Sequence, residues 1–105
     1  QREHEVGNFS FDPEHLEGTG SIRMIDTEGQ KRVRFMNPTK AVEIAKKYCN
    51  FGNAESSVDY DSDAGVYRVV FIQAFPMDGY VVYATGGVSV YLNENGIVLM
   101  VIYGE

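Results

Sequence analysis

The stretch VYRVVFIQAFPMDGYVVYATGGVSVYLNENGIVLMVIY, residues 66–103, decides the fold. Val66 to Phe75 is rich in β-branched and aromatic residues, the types that suit a pleated surface. Pro76-Met77-Asp78-Gly79 reads as a turn. Tyr80 to Ala84, Val88 to Leu92 and Ile97 to Tyr103 read as three further strands. Gly86-Gly87 suggests a bend or bulge between them, and Asn95-Gly96 is a hairpin signal. The strands are apolar on both sides. Val98, Met100 and Ile102 share one face; Ile97, Leu99, Val101 and Tyr103 share the other. One helix covers one face only. The N-terminal hairpin, a second molecule or a partner is left to cover the second.

Working back from this stretch, Asn53 to Gly65 reads as an acidic connector carrying Glu55, Asp59, Asp61 and Asp63, with a short strand at Val58 and Tyr60. Asn37 to Gly52 reads as the main helix. Asn37 is a good N-cap, and Pro38 sits at the first helical position, where its missing N–H costs nothing. At ~100° per residue, Ala41, Val42, Ile44, Ala45, Tyr48, Cys49 and Phe51 fill one half of the wheel. Lys40, Glu43, Lys46, Lys47 and Asn50 fill the other, so the helix lies on something apolar. Glu43 and Lys47 are spaced for a helical ion pair, and Gly52 suits the position after the helix. Ser21 to Met36 alternates like a hairpin turning at Asp26-Thr27-Glu28-Gly29. Further upstream, Phe9 and Phe11 suggest a short extended piece. Asp12-Pro13-Glu14 starts one helical turn that Gly18 and Gly20 stop. The expected fold class is α+β: one main helix packed on a curved antiparallel sheet, preceded by an N-terminal β-hairpin.

At 105 residues the chain is one domain, 1–105, with 1–37 an extension and hairpin and 38–104 the core. Hydrophobic residues at 44% and charged residues at 23% exclude disorder and coiled coil. No apolar run reaches the ~18 residues a membrane span needs. A net charge of −6 argues against nucleic acid, whose phosphates require a basic face. One cysteine excludes an internal disulfide.

By this point a resemblance is visible. Tyr67-Arg68-Val69-Val70-Phe71-Ile72-Gln73-Ala74-Phe75 is followed by Gly79-Tyr80-Val81-Val82-Tyr83. Then come Gly86-Gly87-Val88-Ser89-Val90-Tyr91-Leu92, Asn95-Gly96-Ile97-Val98 and Tyr103-Gly104, with a helix at Pro38 to Ala45 ahead of them. Residues 38–104 thus resemble PepSY-like domains and the propeptides of thermolysin-type proteases. They are also similar to PepSY-like extracytoplasmic regulators of Gram-positive sensor kinases. The resemblance implies a PepSY/cystatin-like helix on a curved sheet. It implies a bacterial binding module rather than an enzyme, in a secreted or membrane-anchored setting outside the cytoplasm.

No residue pattern spells catalysis. Asp59-x-Asp61-x-Asp63 opens like a calcium loop, but Ala64 stands where glycine is required and Val70 where a bidentate glutamate is. An acidic solvated turn is the preferred reading. His4 and His15 lie among Glu3, Glu5, Glu14 and Glu17 without any HExxH or paired CxxC, which favours a polar terminus over a metal site. Cys49, on the apolar side of the helix, reads as a small core residue. No cofactor is expected.

Two groups of residues bear on binding. Tyr80, Tyr83, Tyr91 and Tyr103 fall in the sheet, where they either pack cross-strand at its rim or form a binding surface, since tyrosine is enriched at interface centres. Gln73 sits in an apolar strand, where its amide either braces the sheet or contacts a bound peptide. The expected function is a non-catalytic, extracytoplasmic regulatory module that docks a peptidase or a membrane sensor protein through a sheet face or edge. The alternatives are a protease inhibitor or chaperone acting in trans, a small-ligand-binding domain, and a structural homodimer.

Overall fold

The computed structural model describes residue 11 and residues 21–104. Six strands and one helix follow in the order β1 (Ser21–Met24), α1 (Pro38–Ala45), β2 (Ala54–Asp61), β3 (Val66–Met77), β4 (Tyr80–Tyr83), β5 (Val88–Asn93) and β6 (Val98–Tyr103). All pairings are antiparallel, in the order β1-β6-β5-β3-β2, with β4 paired to β3. Among the described residues strand makes up 47% and helix 13%, the helical share being α1 with the short turn that continues it. The fold is therefore dominated by its sheet, which corrects the α+β class with one main helix and an N-terminal hairpin expected above.

Three local causes account for the correction. First, the helix is half its expected length. Asn37 caps it as expected, its side-chain oxygen accepting from Lys40 N–H at 2.7 Å. After Ala45 the chain tightens into a 3₁₀ turn at Lys46–Tyr48 and is extended by Cys49. It is already turning to deliver Ala54 opposite Gln73. Second, the acidic connector is a full edge strand, β2. Ser56, Val58 and Tyr60 share the face toward the helix, while Glu55, Ser57, Asp59 and Asp61 alternate to the other. Charges on an edge strand deter unwanted pairing, so they are no argument against a strand.

Third, Ser21 to Met36 is not a hairpin. β1 pairs with the last strand, Ser21 opposite Tyr103 and Met24 opposite Met100. The return segment instead follows the sheet margin by single contacts. Ile25 N–H donates to Leu99 C=O at 3.1 Å and Val33 N–H to Asn95 C=O at 2.7 Å. Between them the Gln30 amide accepts from Val98 N–H at 2.8 Å and donates to Val98 C=O at 2.9 Å.

The main core lies between α1 and one sheet face. Ala41 and Ala45 are fully buried there with Val69, Val90, Leu92, Val98 and Val101. Val42, Ile44, Tyr48, Cys49 and Phe51 pack around them, matching the helical wheel. The opposite face holds Val66, Tyr91, Met100 and Ile102. Phe11 packs on it, 5.2 Å from the Tyr91 ring centroid, and its N–H donates to Asp61 at 3.2 Å. An N-terminal residue thus covers part of the second face. The remainder of the expected extended piece, the turn near Pro13, and His4 and His15 lie outside the described residues.

The Gly86-Gly87 bend is a close approach. A Cβ on Gly87 would lie 2.3 Å from Phe71 C=O. Here the chain passes from β4, paired to Ala74–Met77, to β5, paired to Val66–Phe71.

Candidate functional site

β3 is twelve residues long, but its neighbours β2 and β5 accompany it only as far as Gln73 and Phe71. Beyond that point it pairs with β4 alone, through the Asp78-Gly79 turn, where Gly79 takes φ +85. Among the described residues α1 packs on β2, β3 and β5 rather than on β4. The large side chains of the β3–β4 hairpin are in solvent: Phe75 is 39% exposed, Met77 50%, Tyr80 59% and Tyr83 54%, with Val81 and Val82 between these values.

Register divides these residues between two faces. Phe75 opposes Val82 and Met77 opposes Tyr80, so all four share one side. Ala74 opposes Tyr83 and Pro76 opposes Val81 on the other. Hydrogen bonding identifies the free edge. Ala84 N–H donates to Gln73 C=O at 2.9 Å, and inward and outward pairs alternate along a strand. The N–H and C=O of Val81 and Tyr83 therefore point away from β3, and no described strand pairs with them. On the far side, Ala74 N–H is taken by Asn53 C=O at 2.8 Å, and the next outward position is Pro76, which has no N–H. One edge of the hairpin is blunted and the other is open.

Of the four interaction residues named from sequence, this arrangement brings together Tyr80 and Tyr83 at the hairpin and Gln73, half-buried, at its base. Tyr91 is elsewhere, 4% exposed and packed under Phe11. Phe75, Met77, Val81 and Val82 were not singled out beforehand. The mismatch between a twelve-residue strand and its six-residue neighbour is the signal that exposes them. The Tyr83 phenol pKa is raised, chiefly by the nearby Glu55 charge.

The three aspartates of the calcium-like run do not converge. Asp59 pairs with Arg68 across β2 and β3. Asp61 is 5% exposed and accepts from Asp63 N–H at 3.0 Å, Ala64 N–H at 3.3 Å and Phe11 N–H, which makes it the brace of the β2–β3 turn. Asp63 is in solvent. Among the described residues no group of three metal-ligating side chains assembles.

Cys49 donates its thiol to Phe51 C=O at 3.4 Å. It lines a cleft of about 460 Å³ with Val42, Lys46, Ser56 and Phe71, away from the hairpin. Among the described residues no helix is long and apolar enough to cross a membrane.

No protein-family model, curated protein or solved structure matches the chain. The likeness drawn for residues 38–104 thus rests on the quoted residues alone.

Proposed function

We propose that this chain is a non-catalytic protein-binding module whose docking element is the β3–β4 hairpin. The occupant is an extended segment of a partner protein that adds to the open edge of β4. One observation carries the reading: the outward N–H and C=O groups of Val81 and Tyr83 lie between two exposed apolar faces. An added strand satisfies those groups, and its alternate side chains cover Val82 and Tyr80 on one side and Val81 and Tyr83 on the other. Asp78 is the only charge in residues 72–84, so the contact is apolar at its centre. With −6 on the chain and Glu55 beside Tyr83, a partner segment flanked by basic residues is favoured over a second copy. The likeness to PepSY-like domains adds an extracytoplasmic setting and a peptidase or sensor protein as partner.

Two variants test it. Val81→Pro removes an outward N–H without touching the bonds to β3, and Tyr80→Ser with Val82→Ser strips the apolar contact. A photo-cross-linker at position 81 supplies a candidate partner, which is then purified. It should bind the wild-type chain, protect the Val81 and Tyr83 amides from hydrogen exchange, and lose at least tenfold in affinity with either variant. Equal binding by wild type and both variants overturns the proposal. Protection that rises with the concentration of the chain alone assigns the edge to a second copy.

A further inference from the structure

The chain is acidic overall, yet its cations are gathered in one place. Residues 31–47 hold Lys31, Arg32, Arg34, Lys40, Lys46 and Lys47, six of the nine Lys and Arg, against Glu43 alone. Six cations less one acid leave this segment at +5 and the rest of the chain at −11. Within it, Val33 N–H is bonded to Asn95 C=O, and Met36 packs against the main core. Both side chains close on Gly96, where a Cβ would sit 2.9 Å from Val33 and 3.3 Å from Met36.

Pinned at these two points, the loop turns Arg34 and Phe35 outward. Phe35 is 78% exposed, more than any other large hydrophobic residue described, and the Arg34 guanidinium lies 5.7 Å from its ring centroid. Lys31, Lys40 and Lys47 line the adjoining cleft beside α1, together with Glu28 and Glu43.

We infer that this loop and the flank of α1 dock on an anionic lipid surface. An exposed aromatic ring beside an arginine, with lysines along the neighbouring cleft, matches the layering of a bilayer interface. The ring enters the acyl boundary while lysines and arginines remain at the phosphates. An acidic protein would need a socket for Phe35 as well as the charge. The placement also suits the hairpin. Asn95 and Gly96 lie at the sheet end where Val66 pairs with Asn93, and the β3–β4 turn lies at the other end of β3. A chain held on lipid by this loop presents the hairpin away from the membrane. The lipid contact stands on its own residues and does not depend on the hairpin reading.

The chain has no tryptophan, so Phe35→Trp reports on this site alone. Vesicles of phosphatidylcholine with phosphatidylglycerol should shift its emission to the blue and shield it from aqueous quencher. Phosphatidylcholine alone should do neither. Read by co-sedimentation with the same vesicles, Arg32→Ser and Arg34→Ser should each lower partitioning roughly five-fold, Phe35→Ser should weaken it further, and added salt should release the chain. Tyr80→Ser should leave it unchanged, so failure of this site and failure of the hairpin are told apart. Phe35 and the two arginines are exposed, and an unchanged circular dichroism spectrum confirms that the variants fold. No emission change with anionic vesicles, or the same change with neutral ones, overturns the inference. Retention on immobilised polyglutamate without any vesicle response overturns it in favour of an acidic protein.

Discussion

Gln30 does with a side chain what a neighbouring strand does with its backbone. Its amide accepts from Val98 N–H and donates to Val98 C=O, and also to Asp26 C=O at 2.9 Å. Gln30→Ala leaves both partly buried groups of Val98 short of a partner, and the expected loss is about 1–3 kcal/mol. A urea midpoint within error of wild type would show that water replaces the amide fully. The sequence marks Gln30 only as a polar residue after a turn, because its partner is 68 positions away. Gly87 was legible as a bend, but the Phe71 carbonyl that forbids a side chain there was not. Asp61 shows the opposite failure. Spacing placed it in a metal-like run, while the fold spends its oxygens on nearby backbone N–H groups.

At the scale of elements, signals confined to a few consecutive residues survived best. The α1 start needed only Asn37 and Pro38, and both act as expected. Asn37→Ala removes the oxygen that accepts from Lys40 N–H, at an expected cost of about 1 kcal/mol. Thermal unfolding checks it, with Asn37→Ser expected to retain most of the stability. No difference between the two variants would mean that packing at Ala41 and Ala45 alone holds the helix. The apolar wheel was right about which residues face the sheet and wrong about where the helix stops. Tyr48, Cys49 and Phe51 reach the same core from a 3₁₀ turn and an extended segment. β2 was legible only as a short strand at Val58 and Tyr60, because the charges around them were read as loop composition, although Asp59 stands opposite Arg68 and Tyr60 opposite Tyr67. Of the supposed hairpin at Ser21 to Met36 only Ser21–Met24 is a strand, and the expected alternation fails after it, since Val33 and Met36 both turn to Gly96 while Phe35 points to solvent. The actual partner of that strand, β6, is about eighty residues away, and no local pattern reveals such a pairing.

The whole molecule is tied together by contacts of that long-range kind, and one of them has a pH signature. Tyr60 on β2 donates its hydroxyl to Glu94 in the β5–β6 turn, across the intervening β3. The hydrogen bond to the carboxylate is the largest of the effects that push the Tyr60 phenol up to about 12, with desolvation and nearby negative charge adding to it. The folded value lies above the ~10 of an unfolded tyrosine. The contact therefore favours the fold fully below ~10, and its contribution is lost as pH rises from there through about 12. Tyr83, raised by Glu55, acts in the same direction at the hairpin. Among the seven tyrosines, an absorbance titration of tyrosinate should show a late component that Glu94→Gln moves back toward ~10. The same variant should reduce the alkaline loss of stability, because the largest cause of the Tyr60 shift is gone, and the part that remains belongs to desolvation and to Tyr83. A titration unchanged by Glu94→Gln would mean that β2 and the β5–β6 turn are held by the Tyr60–Tyr67 ring contact and the sheet alone.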